Sequence, residues 1–449
     1  MSRVRRSEMA SLIQLQPGAV MRVLAGEGPA FALLCLYLFI EYVRPQSIYP
    51  AIDILPYAQL SILAALGARL LTRERIDVAS PTTFWLVAFL AVLQVSWWNA
   101  YNPALSGERV TTHVVWVVVY FLIVSTVNTR ERFFVFLLLY LLWNLKMSQH
   151  GVRAWAARGF GYDRWGVSGG PGWFDNAGDL GVEMCIFLPV AFCFFLFLKK
   201  RCSRWKQTAL AMVPMSAALT ILATNSRGAL VGMAAIVLWV GLASRKRFRF
   251  VVLAIMVSIA AYAIIPEKQI SRIEASGEDE TSNNRILRWG VGIEIMMDKP
   301  WTGVGPANWV IYYPTHYPPE KGLEMYGLQH SMYIDAASEY GVPGVVVLFG
   351  IIFSAFMANA KTRNLGRALG DEFFVFFSLG LDAALVGLLV SAAFVSVFNY
   401  PFLWVHVAFI VALNKVAAAA YVRHEATAPA VAGAVTQALT TGGRTWRRA

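Results

Sequence analysis

Residues 178–206 read GDLGVEMCIFLPVAFCFFLFLKKRCSRWK. Through residue 198 this is an apolar run whose only charged members are Asp179 and Glu183. Five cations then follow in close order: Lys199, Lys200, Arg201, Arg204 and Lys206. A run of that length suits the roughly 20 residues with which a helix crosses a bilayer. A basic block at its end marks the cytoplasmic side. The stretch predicts a membrane-spanning helix, and the same unit recurs along the chain.

Comparable runs lie at about 29–43, 55–71, 82–98, 112–127, 133–148, 178–198, 207–224, 228–243, 248–265, 332–358, 373–398 and 401–421. The expected fold is an all-α polytopic integral membrane protein with about twelve transmembrane helices and a large outer loop between helices nine and ten. Composition agrees. The chain is 57% hydrophobic and 15% charged, whereas a soluble domain carries about 25% charged residues. Such a surface has to face lipid. Aromatics, at 13% of residues, suit interfacial belts. Four units are expected: 1–265 with helices one to nine, a loop at 266–331, 332–421 with helices ten to twelve, and a disordered cytoplasmic tail at 422–449.

Sidedness follows from the linkers. With the N-terminus inside, the inner linkers hold Arg69, Arg73 and Arg75; Arg130 and Arg132; the block after residue 198; Arg245, Lys246, Arg247 and Arg249; and Lys361, Arg363 and Arg367. The short outer linkers hold only Arg44, Arg109 and Arg227. Both termini are therefore expected in the cytoplasm. Arg3, Arg5 and Arg6 follow Met1 without the short apolar region and cleavage site of a signal peptide, so the N-terminus is expected to be retained. The net charge of +12 does not indicate nucleic acid, because the cations sit in short clusters between apolar runs, as topology signals or contacts for anionic head groups. The four cysteines (Cys35, Cys185, Cys193 and Cys202) form no CxxC pair and support neither a disulfide framework nor a zinc site.

Two outer linkers are long, at about 149–177 and 266–331, and long linkers are usually functional. The second predicts a helix at 283–298, with Ser282 or Asn283 as its N-cap, and turns at Lys299-Pro300 and Gly303-Val304-Gly305-Pro306. Four groups of residues could carry chemistry. Arg227, in Asn225-Ser226-Arg227-Gly228-Ala229, either snorkels to head groups or forks onto phosphate oxygens, with Gly228 allowing close approach. Arg285 and Arg288 share a helix face, which is either solvated or closed around an anion; Trp289 points elsewhere and could anchor the helix in the interface. His330, where the loop enters helix ten, titrates near neutral pH and could take a proton from a hydroxyl; His316 competes for that role. Tyr312, Tyr313 and Tyr317 either stack on sugar rings or anchor the loop in the interface. No HExxH, paired His/Asp spacing, P-loop or dinucleotide fingerprint is present, so no metal or nucleotide cofactor is expected. No internal repeat supports a transporter built from two halves.

The Ser-Arg-Gly-Ala turn after helix seven, the Asn-Arg-x-x-x-Trp helix, the Gly-Val-Gly turn and the terminal His of the large loop resemble the O-antigen ligase family over about 220–335. The resemblance implies a metal-independent membrane glycosyltransferase of the bacterial inner membrane, with its active site facing the periplasm. Its donor would be a glycan on undecaprenyl pyrophosphate, and its acceptor a sugar hydroxyl of lipid A–core oligosaccharide. It implies that Arg227 and Arg288 hold the donor pyrophosphate, that Arg285 helps, that His330 activates the acceptor, and that transfer inverts the anomeric carbon. O-antigen polymerases and protein O-oligosaccharyltransferases share this pattern. From another class, an exporter of lipid-linked sugars should carry its charges near the midplane, on broken helices.

Overall fold

The computed structural model describes residues 3–162, 166–243, 280–317 and 327–427. Among these there is no β-strand. The helices are α1 (Arg3–Ile13), α2 (Pro17–Gly26), α3 (Pro29–Val43), α4 (Pro45–Ile48), α5 (Tyr57–Leu71), α6 (Pro81–Trp98), α7 (Pro103–Thr126), α8 (Arg130–Ala157), α9 (Ala177–Leu198), α10 (Arg204–Ala223), α11 (Arg227–Ala243), α12 (Glu280–Asp298), α13 (Trp309–His316), α14 (Met332–Ala368), α15 (Glu372–Ser391) and α16 (Pro401–Thr427).

Eight of the described stretches are long and apolar enough to cross a membrane: α3 with α4, α6, α7, α9, α10, α14, α15 and α16. Helices α5 and α11 are apolar but shorter. The expected span at 248–265 lies outside the described residues. Several helices outrun their apolar cores because polar residues extend them. Helix α7 starts at Pro103 rather than near 112, capped by the Asn102 side chain on the Ala104 and Leu105 amides. Helix α8 continues to Ala157 and absorbs the first part of the expected 149–177 linker.

The linkers gather at two ends. At one end Arg130 forks onto Asp371 at 2.6 and 3.0 Å, Arg201 meets Glu372 at 2.5 Å, and Arg132 holds Glu27 and Glu74, each at 2.8 Å. This basic end collects the cation clusters after α5, in the first turn of α8 and after α9. At the opposite end the Val167 amide donates to the Ala223 carbonyl, the Tyr101 amide to Val304, and the Trp116 indole to Asn399, all at 2.9 Å.

The loop helices α12 and α13 sit at that second end on a small core of Val291, Ile295, Val304, Trp309, Tyr312 and Tyr313. Helix α12 already runs at Glu280, so Ser282 and Asn283 lie inside it rather than capping it. Backbone chemistry explains how the loop is fastened. Helix α14 breaks at Gly341 (φ 66°, ψ −162°). Pro343 has no amide hydrogen to give Glu339, and the Val342 amide turns to the Pro300 carbonyl at 2.7 Å. The carbonyls of Ser338 and Glu339 accept instead from Val304 and Gly305 of the loop, at 2.9 and 3.1 Å. Gly303 lies so close to this strip of α14 that a side chain there would strike the Glu339 backbone at 2.4 Å.

Candidate active site

Helix α10 ends at Ala223 with Thr224 as its C-cap, and Asn225 turns the chain in the left-handed region at φ 51°, which Asn adopts more readily than most residues. Ser226 then accepts from the Ala229 amide at 3.4 Å, and α11 begins with Arg227. The half-buried Arg227 therefore stands at a helix N-terminus, where the helix dipole adds to its own positive charge. The turn is clamped from outside. Gly166 packs so closely on it that a Cβ would lie 1.8 Å from the Thr224 carbonyl oxygen. Part of the 149–177 linker is thus a wall of this corner.

Gly228 rests on Phe394, leaving 2.9 Å between a built Cβ and that of Phe394. The ring centroids of Phe394 and Trp289 are 6.1 Å apart. The indole of Trp289 donates to the Gln329 carbonyl at 3.0 Å. Trp289 therefore braces α12 against the segment before α14. Its neighbour Arg288 is buried, and its guanidinium lies against Gly327, 2.3 Å from where a Cβ would stand. Trp309 Nε1 donates to the Gly327 carbonyl at 2.9 Å and holds the same segment from the other side. His330 follows three residues on, half-buried, with φ at 52°. The three separate stretches that carry Arg227, Arg288 and His330 are joined through their neighbours: Gly228 on Phe394, Phe394 beside Trp289, and Trp289 on the Gln329 carbonyl. Arg285 is half-buried one turn before Arg288 on the same helix.

The tyrosines are placed differently from a sugar platform. Tyr313 lies 1% exposed in a stack with Trp309 (4.9 Å) and Tyr317 (6.4 Å). Tyr312 stacks on His316 at 3.9 Å and takes the edge of Tyr101 at 5.2 Å. The Tyr312 and Tyr313 rings are spent on the loop's own core, while Tyr317 stays half-buried at its edge. Burial, with Glu294 and Asp298 nearby, pushes the Tyr317 phenol up to about 12. His316 is exposed; it stacks on the outer face of this core with Nδ1 3.0 Å from the Tyr312 carbonyl.

Sequence reasoning missed a polar layer beneath His330. Gln329 is 2% exposed, and its amide donates to Ser338 Oγ at 3.4 Å. Arg109, which reads in sequence as a linker charge, lies in α7 and meets the buried Glu339 at 4.0 Å. Ser396 donates to the buried Asp335 at 2.8 Å. Asp335 and Glu339 are four apart, a one-face spacing on a helix, and that spacing was the available signal.

The segment from α10 to the middle of α14 contains every candidate residue for chemistry named from the sequence. Residues 210–349 match the family model described as O-Antigen ligase. The resemblance to the O-antigen ligase family thus holds over the segment that carries Arg227, Arg285, Arg288, Tyr312, Tyr313, Tyr317 and His330. No curated protein matches the chain. The matched segment meets the rest of the fold through Gly166, Phe394, Arg109 and Ser396, which lie outside it.

Proposed function

We propose that this protein is an O-antigen ligase of the bacterial inner membrane, multi-pass, with its site on the periplasmic side and both termini in the cytoplasm. It moves a glycan from undecaprenyl pyrophosphate to a sugar hydroxyl of lipid A–core oligosaccharide. The observation that carries the reading is the junction at Gly327, which joins the Arg288 guanidinium to the segment ending in His330. A cation for a leaving group and a base for a hydroxyl are the two parts that the transfer needs.

Pyrophosphate departs as charge develops on it, and preorganised cations stabilise that charge. Arg227 at the start of α11 and Arg288, with Arg285 assisting, supply them without a metal. A guanidinium presents a planar fork to phosphate oxygens. His330 accepts the proton of the acceptor hydroxyl as oxygen attacks the anomeric carbon. Attack opposite the leaving group inverts that carbon. The activated donor supplies the driving force, so ATP is not consumed. The clustering of the basic linkers at the far end of the molecule supports the orientation.

Lipopolysaccharide gels from a deletion strain test the assignment. Loss of the O-antigen ladder with accumulation of lipid-linked polymer is the expected result. Core bearing a single repeat would make the protein a polymerase instead. An unchanged ladder with loss of glycan from a secreted protein would make it a protein O-oligosaccharyltransferase.

A further inference from the structure

At the basic end, α8 and α10 part. Near the opposite end they are tied closely: Ser148 and Ser216 share a hydrogen bond at 2.8 Å, Thr220 donates to the Ser148 carbonyl at 2.7 Å, and Gly151 abuts Thr220. Toward Trp205 they splay, and Ala191 and Ala209 are too small to close the gap. The result is a cleft of about 270 Å³ that opens sideways from the bundle. Its floor is the leucine stripe Leu138, Leu141, Leu142 and Leu145 of α8, a one-face spacing running roughly 10 Å along the helix. A single charged residue, Lys206, lines it, at the rim beside the α1–α2 turn.

Such a cavity gives water almost no polar partners, and water needs two to four of them. Its length, width and sideways opening suit a hydrocarbon chain. The rim suits an anion. Lys206 Nζ gives one hydrogen to the Gln14 carbonyl at 2.6 Å, and an ammonium has two more to give. Lys200 and Arg204 are exposed on the neighbouring turn, and Trp205 is 70% exposed where an interfacial indole would stand. We infer that this cleft binds one anionic glycerophospholipid, with an acyl chain along the α8 leucines and its phosphate on Lys206. The site is independent of the transfer site, which lies at the other end of the bundle.

The test is photolabelling of the full-length protein in nanodiscs with phosphatidylglycerol carrying a diazirine on its acyl chain, mapped by mass spectrometry. Label is expected in the peptides around 138–145 and 209–213. Lys206→Gln keeps a donor for Gln14 but removes the charge, and should cut the labelling about fivefold, the worth of one lysine at an anionic membrane surface. Ala209→Phe and, separately, Leu142→Trp fill the gap from exposed positions and should abolish it. Equal labelling by the phosphatidylcholine analogue would overturn the head-group assignment. Undiminished labelling in whichever filling variant keeps wild-type thermal stability would overturn the site itself.

Discussion

The guanidinium of Arg288 lies flat enough on Gly327 that a single added carbon would come within 2.3 Å of its Cζ. The atom in the way ends a flexible side chain, so Gly327→Ala should displace Arg288 without unfolding the loop. We expect Tm within a few degrees of wild type and transfer reduced about tenfold or more, in the range of a lost charged hydrogen bond. A thermal melt and a transfer assay on the same preparation check it. A melt that collapsed would mean that the glycine serves folding instead.

Arg227→Ala and Arg288→Ala should each weaken binding of undecaprenyl pyrophosphate by roughly tenfold to a hundredfold, since a charge-assisted contact is worth about 1.5–3 kcal/mol. Lysine should restore only part, for want of the planar fork. Binding to lipid-linked donor in nanodiscs measures this directly. Wild-type affinity in both alanine variants would remove the pyrophosphate role.

His330→Ala should bind donor normally and lose about 10² to 10⁴ in turnover, the usual cost of removing a positioned base. The wild-type rate should fall as pH drops and the imidazole becomes protonated, and the residual rate of the variant should lack that limb. His316→Ala should cost little transfer, because the exposed His316 is held by stacking on Tyr312, at the edge of the loop core. The reverse pattern would exchange the two histidines.

Gly166→Ala tests the wall of the Arg227 corner. Its Cβ would meet the Thr224 carbonyl oxygen at 1.8 Å, and backbone cannot step aside as a side chain can. The variant should be destabilised by about 1–3 kcal/mol, as overpacked sites are, and should lose transfer because the turn bearing Arg227 shifts. A stable, active variant would show that residues 166–176 do not press on that turn.

At the basic end, the hydrogen bond from Arg132 holds the Glu74 carboxyl down at about 2 against a usual value near 4.5. A carboxyl depressed in the folded state contributes stability above its unfolded value and loses it as acid protonates it. Stability in detergent should therefore fall between about pH 4.5 and pH 2, and Glu74→Gln should show less of that fall. Identical acid limbs in the two proteins would assign the loss to other carboxyls.

Eight of the expected spans and the two-ended grouping of linkers were legible because hydrophobic length and cation placement are properties of contiguous sequence. The same holds for Arg227, Arg288 and His330 as candidates, since each stands at the edge of an apolar run or a loop. What was not legible arises from contacts distant in sequence. Nothing local to Trp289 says that its indole reaches the Gln329 carbonyl. Nothing near Tyr313 says that Trp309 and Tyr317 will occupy it. Arg109 looked like a linker charge because Asn102 caps α7 nine residues before the apolar run begins. The clamp of Gly166 on Thr224 joins two stretches whose own patterns give no hint of each other.

Helix α14 has 37 residues, about 55 Å if straight, against a hydrocarbon layer of about 30 Å. The interruption at Gly341 divides that length unequally. Residues 332–340 are bonded to the loop through Ser338 and Glu339, and the longer piece only at its head, through the Val342 amide; 343–368 carry the apolar length. A thinner or thicker bilayer can then be met by tilting the longer piece about the break. The shorter piece stays with the loop, so the seat of the loop on α14 is set by the protein's own hydrogen bonds and not by the thickness of the membrane that holds it.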